Sequence, residues 1–337
     1  MIVLLLIGIF LGSCFLTGFF RRYAIARSLL DIPNERSSHS VPTPRGGGVS
    51  IVVFFLLGLP ISFLQGWIEL PVMLGLIGAG LLVALIGFAD DHGHIAARWR
   101  LTGHFAASAW VLFWFNGVAP IEIMGVSLAS GWWGWGWGLG ALFLVWMLNL
   151  YNFMDGIDGL ASVEAISVCL SASLIYVLLG SVELVSGPLM LAAAVGGFLY
   201  WNFPPARIFM GDAGSGFLGI ILGALALQAA WLEPGLIWCW IILLGVFIVD
   251  ATWTLGRRLI RGEKVYQAHS THAYQYAARR WGHKRVAMSV VVINMLFLFP
   301  VSVFVVLGFF NALVGICIAY IPLAGLAYLM SAGKSQI

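Results

Sequence analysis

The stretch GLGALFLVWMLNLYNFMDGIDGL, residues 138–160, joins an apolar run directly to a cluster of amides and carboxylates. Its first half carries no charged residue, which is typical of a helix buried in lipid. Polar side chains are costly inside a bilayer, so the second half predicts that the chain leaves the membrane here. The polar residues of that half are Asn149, Asn152, Asp155 and Asp158.

Composition places the rest of the chain in the membrane as well. Of the 337 residues, 61% are hydrophobic and 9% are charged, and the mean hydropathy is +0.99. A membrane helix needs about 20 apolar residues. The sequence therefore predicts an all-α polytopic integral membrane protein, a single domain over residues 1–337. About eleven transmembrane helices are expected, centred near residues 11, 56, 80, 112, 141, 170, 193, 222, 245, 297 and 321.

Basic residues divide the connections between these helices into two sets. All 17 Lys and Arg residues fall in or beside the connections after the odd-numbered helices, or in the C-terminal tail. The positive-inside rule then predicts an outside N-terminus and a cytoplasmic C-terminus. The net charge of +3 follows from this topology, and no nucleic acid is expected as a partner, because no basic run is interleaved with stacking aromatics. The charged residues of the opposite connections are all glutamates: Glu69, Glu122, Glu183 and Glu233.

Functional groups concentrate in five connections predicted to be cytoplasmic, at about residues 21–48, 89–103, 149–160, 202–216 and 256–285. The first contains DIPNERSSHSVPTPRGGG, residues 31–48, in which three prolines exclude a regular helix. Its glycines let the backbone approach a ligand closely. Arg36, His39 and Arg45 suit an anionic ligand, whereas the alternative is an ordinary turn-rich connector.

The second connection begins with two adjacent carboxylates, Asp90 and Asp91, at the end of a predicted membrane helix. Adjacent helical residues point about 100° apart, so the two are expected to divide the work. One carboxylate would lie near a metal and the other would place or deprotonate the attacking group. Arg98 and Arg100 follow and could neutralise phosphate. The alternative is a helix end flanked by arginines that only set the topology.

The third and fourth connections carry further carboxylates. In NLYNFMDGIDGL the polar residues recur every three positions, which a regular helix would spread over opposite faces. We therefore expect the helix to end near Asp155, with Asp155 and Asp158 at the mouth of the next helix. In RIFMGDAGSGF, Asp212 is predicted at the start of the eighth helix, where backbone N–H groups favour phosphate. Its carboxylate suits Mg²⁺, which commonly bridges such a group to substrate phosphates.

The fifth connection contains HSTHAYQ, with His269 and His272 one helical turn apart. These imidazoles could donate to a diphosphate or bind zinc, but no third zinc ligand lies close by in sequence. Asp250, in the preceding helix, is expected to pair with Arg257 or Arg258.

Taken together, the motifs resemble a known family. The segments DIPNERSSHSVPTPRGGG, GFADD, NLYNFMDGIDGLAS, RIFMGDAGSGFLG and HSTHAYQ, in this order, are similar to the polyprenyl-phosphate N-acetylhexosamine-1-phosphate transferases, glycosyltransferase family 4. The resemblance implies a bacterial inner-membrane enzyme with a cytoplasmic active site. It would transfer an N-acetylhexosamine 1-phosphate from a UDP-sugar to undecaprenyl phosphate and release UMP. Mg²⁺ is the implied cofactor, with Mn²⁺ as a substitute, and the form could be a homodimer.

The resemblance also assigns roles to individual residues. Asp90 and Asp91 match the catalytic aspartates of the family. Asn152, Asp155 and Asp158 match its nucleotide-site motif, and Asp212 matches its metal ligand. Asp155 is predicted as a second metal ligand. Arg45, Arg98 and Arg100 join the substrate-binding set. His269 and His272 match the histidine motif, but HSTHAYQ lacks the consecutive histidines of the peptidoglycan-precursor branch. It resembles the branch that initiates O-antigen or related polysaccharides.

Two rival functions stay open at this point. The first is the peptidoglycan-precursor phospho-N-acetylmuramoyl-pentapeptide transferase, which an assay with different UDP-sugars would separate. The second is an ion-coupled transporter, whose acidic residues are expected near the bilayer midplane on broken helices. Here the acidic residues are predicted at helix ends.

Overall fold

The computed structural model describes residues 1–33, 41–93, 95–123, 126–128, 135–263 and 269–334. Within these ranges the chain is a bundle of apolar α-helices joined by short connections. The helices are α1 (Ile2–Ala26), α2 (Val49–Leu64), α3 (Leu70–His92), α4 (Ala97–Trp114), α5 (Trp135–Met154), α6 (Leu160–Leu179), α7 (Ser186–Asn202), α8 (Asp212–Leu232), α9 (Leu236–Leu243), α10 (Gly245–Ile260), α11 (Ala273–Trp281), α12 (His283–Ile293), α13 (Phe299–Val306) and α14 (Ala312–Leu329).

The prediction of a polytopic helical membrane protein is confirmed, whereas the count of eleven spans is not. Eight spans in the described ranges are long and apolar enough to cross a membrane, or nine if α9 and α10 form one span bent by 68°. α2 has only 16 residues, and α4 begins with arginines that lower its hydropathy. A π-helical turn, Asn294–Leu298, joins α12 and α13 into one of these spans. Every predicted centre still lies in a helical segment.

α8 is the central helix of the bundle, and 83% of its most apolar window is buried. It packs against α3 and α5, and glycines let the backbones approach closely at both crossings. A Cβ atom on Gly219 would lie 2.5 Å from the carbonyl oxygen of Met147 in α5. One on Gly87 of α3 would lie 2.5 Å from the backbone nitrogen of Ala213. Small residues at helix crossings are typical of membrane bundles.

Two short antiparallel strand pairs lie outside the helices. β1 (Leu30–Asp31) pairs with β2 (Thr43–Pro44), and β3 (Ile121–Ile123) pairs with β4 (Val126–Leu128). After β2 the backbone runs along the segment before α8: the amide of Phe209 donates to Pro44 (2.8 Å), and the amide of Gly48 donates to Met210 (2.9 Å). This pairing carries Arg45 to the start of α8.

Asp250 of α10 anchors the start of α11. Its carboxylate accepts hydrogen bonds from the backbone amides of Ala273 (2.9 Å) and Tyr274 (3.0 Å), and Nδ1 of His272 lies 3.3 Å away. The expected pairing with Arg257 or Arg258 was wrong, because the unpaired N–H groups of a helix start attract a carboxylate. Those arginines instead donate to the carbonyl of Ala332 and to the carboxylate of Glu263.

Candidate active site

Helix ends bring the predicted site residues together at one end of the bundle. α3 and α5 end there, at His92 and Met154, and α6 and α8 begin there, at Leu160 and Asp212. We call this the basic end, because every described Lys and Arg lies in the connections or helix termini that form it. The expected end of α5 just before Asp155 and the expected start of α8 at Asp212 are both confirmed.

Asp90 and Asp91 face different partners, as their adjacent positions on a helix predict. The carboxylate of Asp90 accepts hydrogen bonds from Arg100 and from the backbone amide of Ile95 (2.7 Å). That of Asp91 accepts from the backbone amides of Asp212 (3.1 Å) and Ala213 (3.3 Å), the first residues of α8. Both side chains are almost fully buried, with 6% and 5% of their surface exposed.

Two arginines each contact one of these carboxylates and also Asp212. Arg45 lies 3.0 Å from Asp91 and 2.9 Å from Asp212. Arg100 contacts Asp90 and lies 3.6 Å from Asp212. Asp212 is thus flanked by two guanidinium groups that come from different connections. More than a third of the surface of Arg45 stays exposed, so this arginine can also contact an anion in the adjoining cavity.

The last turns of α5 supply the amides, and the connection between α5 and α6 supplies the remaining carboxylates. The side-chain amide of Asn152 donates to the hydroxyl of Ser215 in α8 (3.0 Å). Asp155 follows the last residue of α5, and Gly159, with φ at +74°, provides the turn into α6. Burial, followed by the charge of Asp212, raises the pKa of Asp155 well above its usual range. A carboxylate in such a place favours a nearby cation.

Asp158 lies against a histidine that the sequence analysis did not single out. Its carboxylate lies 3.2 Å from Nδ1 of His283 and accepts a hydrogen bond from the backbone amide of Ala206 (3.0 Å). His283 is the first residue of α12 and follows the helix-breaking Gly282. A lone histidine before a basic run gave no signal in the sequence, since its aspartate partner lies 125 positions earlier.

These residues line two adjoining cavities. The first cavity, about 210 Å³, has a wall that is largely polar and charged. The second cavity, about 180 Å³, lies between α3, α4, α5 and α8 and has apolar side chains over much of its wall. Asn152 and Asp212 line both. The first is otherwise lined by Asp31, Arg45, Asp155, Asp158, Asn202, Phe209, Gln275 and His283, and the second by Val83, Ile86, Asp90, Arg100, Leu101, His104, Leu148, Asn149 and Phe153, among others.

Arg98 and the two predicted histidines lie outside both cavity walls. Arg98 is exposed, with its guanidinium over the ring of Trp99. His272 is buried, and its side chain caps the start of α11. The backbone amide of His272 in turn donates a hydrogen bond to the side chain of Gln275. The ring of His269 stacks on His272, with 4.9 Å between centroids. A structural role therefore accounts for the contacts of His272, and the substrate contacts of these three residues stay predictions.

Two further predicted ligands of an anion, Arg36 and His39, lie outside the described residues.

The carboxylates of the site have the chemistry that a hard divalent cation needs. Asp90, Asp91, Asp155 and Asp212 bring four carboxylates to one place. Among the described residues, Arg45 and Arg100 form ion pairs with three of them, Asp90, Asp91 and Asp212. In the described ranges, no three His, Cys, Asp or Glu side chains are arranged as a closed metal site. Mg²⁺ does not require one, because it usually keeps waters and binds through one or two carboxylates and substrate phosphates.

The family model named Glycosyl transferase family 4 matches residues 73–230. That segment holds Asp90, Asp91, Asn152, Asp155, Asp158 and Asp212. This part of the chain is thus similar to glycosyl transferase family 4. The matched segment contributes residues to the walls of both cavities described above, which we take as the candidate active site.

Several curated proteins are similar to this chain over more than half of its length. A probable undecaprenyl-phosphate N-acetylglucosaminyl 1-phosphate transferase of Bacillus subtilis is 28% identical, over 86% of this chain and 80% of its own length. An undecaprenyl-phosphate alpha-N-acetylglucosaminyl 1-phosphate transferase of Thermotoga maritima is 26% identical, over 85% of each. A phospho-N-acetylmuramoyl-pentapeptide-transferase of Moorella thermoacetica is 36% identical, over 55% of this chain and 61% of its own length.

Proposed function

We propose that the protein transfers an N-acetylated amino-sugar 1-phosphate from a UDP-sugar to undecaprenyl phosphate, giving the undecaprenyl-diphosphate sugar and UMP. One observation carries the proposal: a charged cavity and a partly apolar cavity meet at Asn152 and Asp212. Such a pair suits two substrates that react with each other, one water-soluble and polyanionic, the other a lipid phosphate. The names of the relatives from Bacillus subtilis and Thermotoga maritima support this assignment.

In this proposal the first cavity holds the UDP-sugar and the second the phosphate of the lipid. Arg45 lies in the first wall and Arg100 in the second, so each substrate would meet one guanidinium group. The lipid phosphate would approach between helices, where its polyprenyl chain can stay in the apolar phase. Asp158, in the first cavity only, would contact the nucleotide.

The chemistry needs charge neutralisation and positioning more than a strong base. A phosphate monoester has a second pKa of about 6 and is already largely dianionic near neutral pH. One of its oxygens attacks the sugar-bearing phosphorus, and the bond from that phosphorus to the bridging oxygen breaks. The bridging oxygen leaves with UMP. Asp90 or Asp91 would position the acceptor or take its remaining proton.

We further propose Mg²⁺ as the cofactor, held by Asp212 and Asp155, with Mn²⁺ able to replace it. Bound there, the ion would neutralise negative charge on the diphosphate. The carboxylates that repel one another in the protein alone favour such an ion, and burial, followed by the charge of Asp212, raises the pKa of Asp155. Arg45 and Arg100, which now pair with Asp212, would be free to turn toward phosphate.

Direct attack and a covalent aspartyl-phosphate route differ in their exchange reactions. Direct transfer predicts intersecting initial-rate lines and no incorporation of labelled UMP into UDP-sugar in the absence of acceptor. The measurement uses purified protein in detergent stripped of endogenous lipid phosphate. Exchange without acceptor would contradict direct attack and favour a covalent step through one of the paired aspartates.

The sugar and the pathway are proposed from the fifth motif. HSTHAYQ differs from a run of consecutive histidines, and we assign the protein to the initiation of O-antigen or a related polysaccharide. The Moorella thermoacetica relative favours the second candidate, peptidoglycan-precursor transfer. A radiolabelled assay that offers several UDP-N-acetylhexosamines and UDP-N-acetylmuramoyl-pentapeptide, with undecaprenyl phosphate and Mg²⁺, separates the two. Transfer from the pentapeptide substrate alone would overturn the O-antigen assignment.

We propose that the basic end faces the cytoplasm of a bacterial inner membrane, with eleven spans and an outside N-terminus. The placement of every described Lys and Arg at that end supports this orientation. Single cysteines test it in a background without the four native ones. Ser270→Cys should resist an impermeant reagent applied from outside, whereas Glu183→Cys should react. The reverse pattern would overturn the orientation.

A further inference from the structure

The connection that carries Asp155 and Asp158 is held by a helix pair that lies far away in sequence. α11 begins beside it, and the Tyr274 hydroxyl donates to the carbonyl of Phe153, one residue before the end of α5 (2.9 Å). A Cβ atom on Gly156 would lie 2.1 Å from that hydroxyl oxygen. α12 also begins beside this connection, where its first residue, His283, contacts Asp158. The connection therefore contacts the starts of both α11 and α12.

His283 makes the contact at the α12 side. Its Nδ1 atom lies 3.2 Å from Oδ2 of Asp158 and 3.4 Å from the backbone nitrogen of the same residue. Gly282 places it there: this glycine has φ at +81° and separates α11 from α12, so the chain turns just before the histidine. The side chain of His283 is partly buried, with 19% of its surface exposed, and it lines the first cavity.

We propose that His283 is a positioning residue that holds Asp158 toward the nucleotide part of the donor substrate. The inference rests on the proposed function, because it takes the first cavity as the UDP-sugar site. Asp158 and His283 line only that cavity, and neither reaches the wall of the second. Loss of the contact therefore weakens donor binding and leaves binding of the lipid phosphate unchanged.

A second histidine–aspartate pair shows what a purely structural contact looks like in this protein. His272 and Asp250 lie 3.3 Å apart, but both are almost fully buried and lie outside both cavity walls. The histidine–aspartate distances of the two pairs are similar, so the pairs differ in their accessibility. His283 and Asp158 face a cavity that a ligand can enter, so their contact decides where a carboxylate stands in a binding site.

The test compares substitutions of His283 that keep or remove its hydrogen-bonding atom. An asparagine side-chain nitrogen or oxygen can stand near the position of Nδ1, whereas leucine fills the space without a polar atom. His283→Leu should raise the KM for UDP-sugar and weaken binding of UMP by about tenfold or more, the range of a hydrogen bond to a charged group. His283→Asn should restore most of both. The KM for undecaprenyl phosphate should stay unchanged in each variant.

A double-mutant cycle separates positioning from a general loss of structure. If His283 acts through Asp158, then His283→Leu combined with Asp158→Asn should weaken UMP binding little more than either change alone. Arg285→Leu is the matched control, since Arg285 lies on the same helical turn, is exposed, and lines neither cavity. Calorimetric titration with UMP gives the affinity of every folded variant, whether or not it turns over.

Each result decides the inference. Additive losses in the cycle, an equal rise of both KM values, or a wild-type KM in His283→Leu would overturn the role of His283 while the transferase assignment stands. A wild-type protein that neither binds UMP nor transfers a sugar phosphate would overturn the proposed function and this inference together. If His283→Leu does not fold, Asp158→Asn and His283→Asn test the role of His283 instead. Asp158→Asn should lose affinity for the donor, and His283→Asn should keep it.

Discussion

The first and second cavities share two residues but differ in the parts of the chain that build the rest of their walls. The first is made mainly from connections, with Arg45, Asp155, Asp158 and other polar groups. The second is made from the faces of α3, α4, α5 and α8, which bring aliphatic side chains such as Ile86 and Leu148 beside Arg100. Connections thus supply a charged site, and helices supply a partly apolar site, as the proposed polyprenyl phosphate would require.

The strongest test of the comparison removes a group that both cavities share. Asp212→Asn should lower turnover on the order of 10²–10³-fold or more, the scale of losing one electrostatic contact to a transition state. Because Asp212 lines both cavities, the loss should appear at saturating concentrations of either substrate. Asp212→Glu should recover part of the activity at raised Mg²⁺.

Glu233→Gln is the matched control, since Glu233 follows the last residue of α8 at the opposite end from Asp212. It should keep wild-type turnover, and melting curves should show both variants folded. Near-normal activity of Asp212→Asn at low Mg²⁺ would contradict the metal assignment and leave Asp155 as the proposed ligand.

A pair of arginine variants tests whether the cavities serve different substrates. Arg45→Gln should raise the KM for UDP-sugar more than that for undecaprenyl phosphate, and Arg100→Gln should do the reverse. About tenfold is expected for each, because each removes a charge-assisted contact to phosphate. Initial rates with either substrate varied give the two ratios. Equal effects of both variants on both KM values would contradict the assignment of one substrate to each cavity.

The crossing of α3 and α8 tests whether both cavities depend on the same backbone. Gly87→Ala would place a Cβ atom 2.5 Å from the backbone nitrogen of Ala213, so the helices must separate at Asp212. Overpacking of this kind costs about 1–3 kcal/mol in stability, and we expect a lower melting temperature and reduced turnover with either substrate. Gly138→Ala is the control, since no atom lies within 4 Å of its added Cβ. A melting temperature equal to that of the control would contradict the close crossing.

The smallest effect is expected at His269, outside both cavities. Burial, followed by the charges of His272 and Arg258, lowers the pKa of His269 to about 3. Because the shift is downward, the ring stays neutral at any pH well above that value and does not change charge between about pH 5 and 8. His269→Gln should therefore keep the shape of the wild-type pH–rate profile. A lost ionisation near neutral pH would show that His269 carries charge during turnover.

The sequence predicted the helix ends at the site well, because local chemistry specifies them. The three-residue spacing of the polar side chains after an apolar run predicted the end of α5, and the segment RIFMGDAGSGF predicted the start of α8 at Asp212. The contacts of His283 and Asp250 were not predictable in the same way. Each depends on a partner at least 22 positions away, and the packing of α11 against α10 and of α12 against α6 brings those partners together.

The histidine motif does not include the histidine that lines the first cavity. His269 and His272 share a motif, yet His272 is buried at the start of α11, while the unremarked His283 reaches the first cavity. The count of eleven spans is not confirmed for another reason: 16 residues are enough for α2 to pack inside the bundle but are fewer than a typical bilayer-spanning helix has.

The shared wall of the two cavities also matters for inhibition. Among the residues that the structure describes, Asn152 and Asp212 alone line both cavities, so ligands bound on either side of them would be close neighbours. A short linker could then join a nucleotide mimic to a lipid-phosphate mimic, and the second half would bind at the high effective concentration set by the first. A linked inhibitor of this kind would bind more tightly only to proteins that keep both cavities and the two residues shared by their walls.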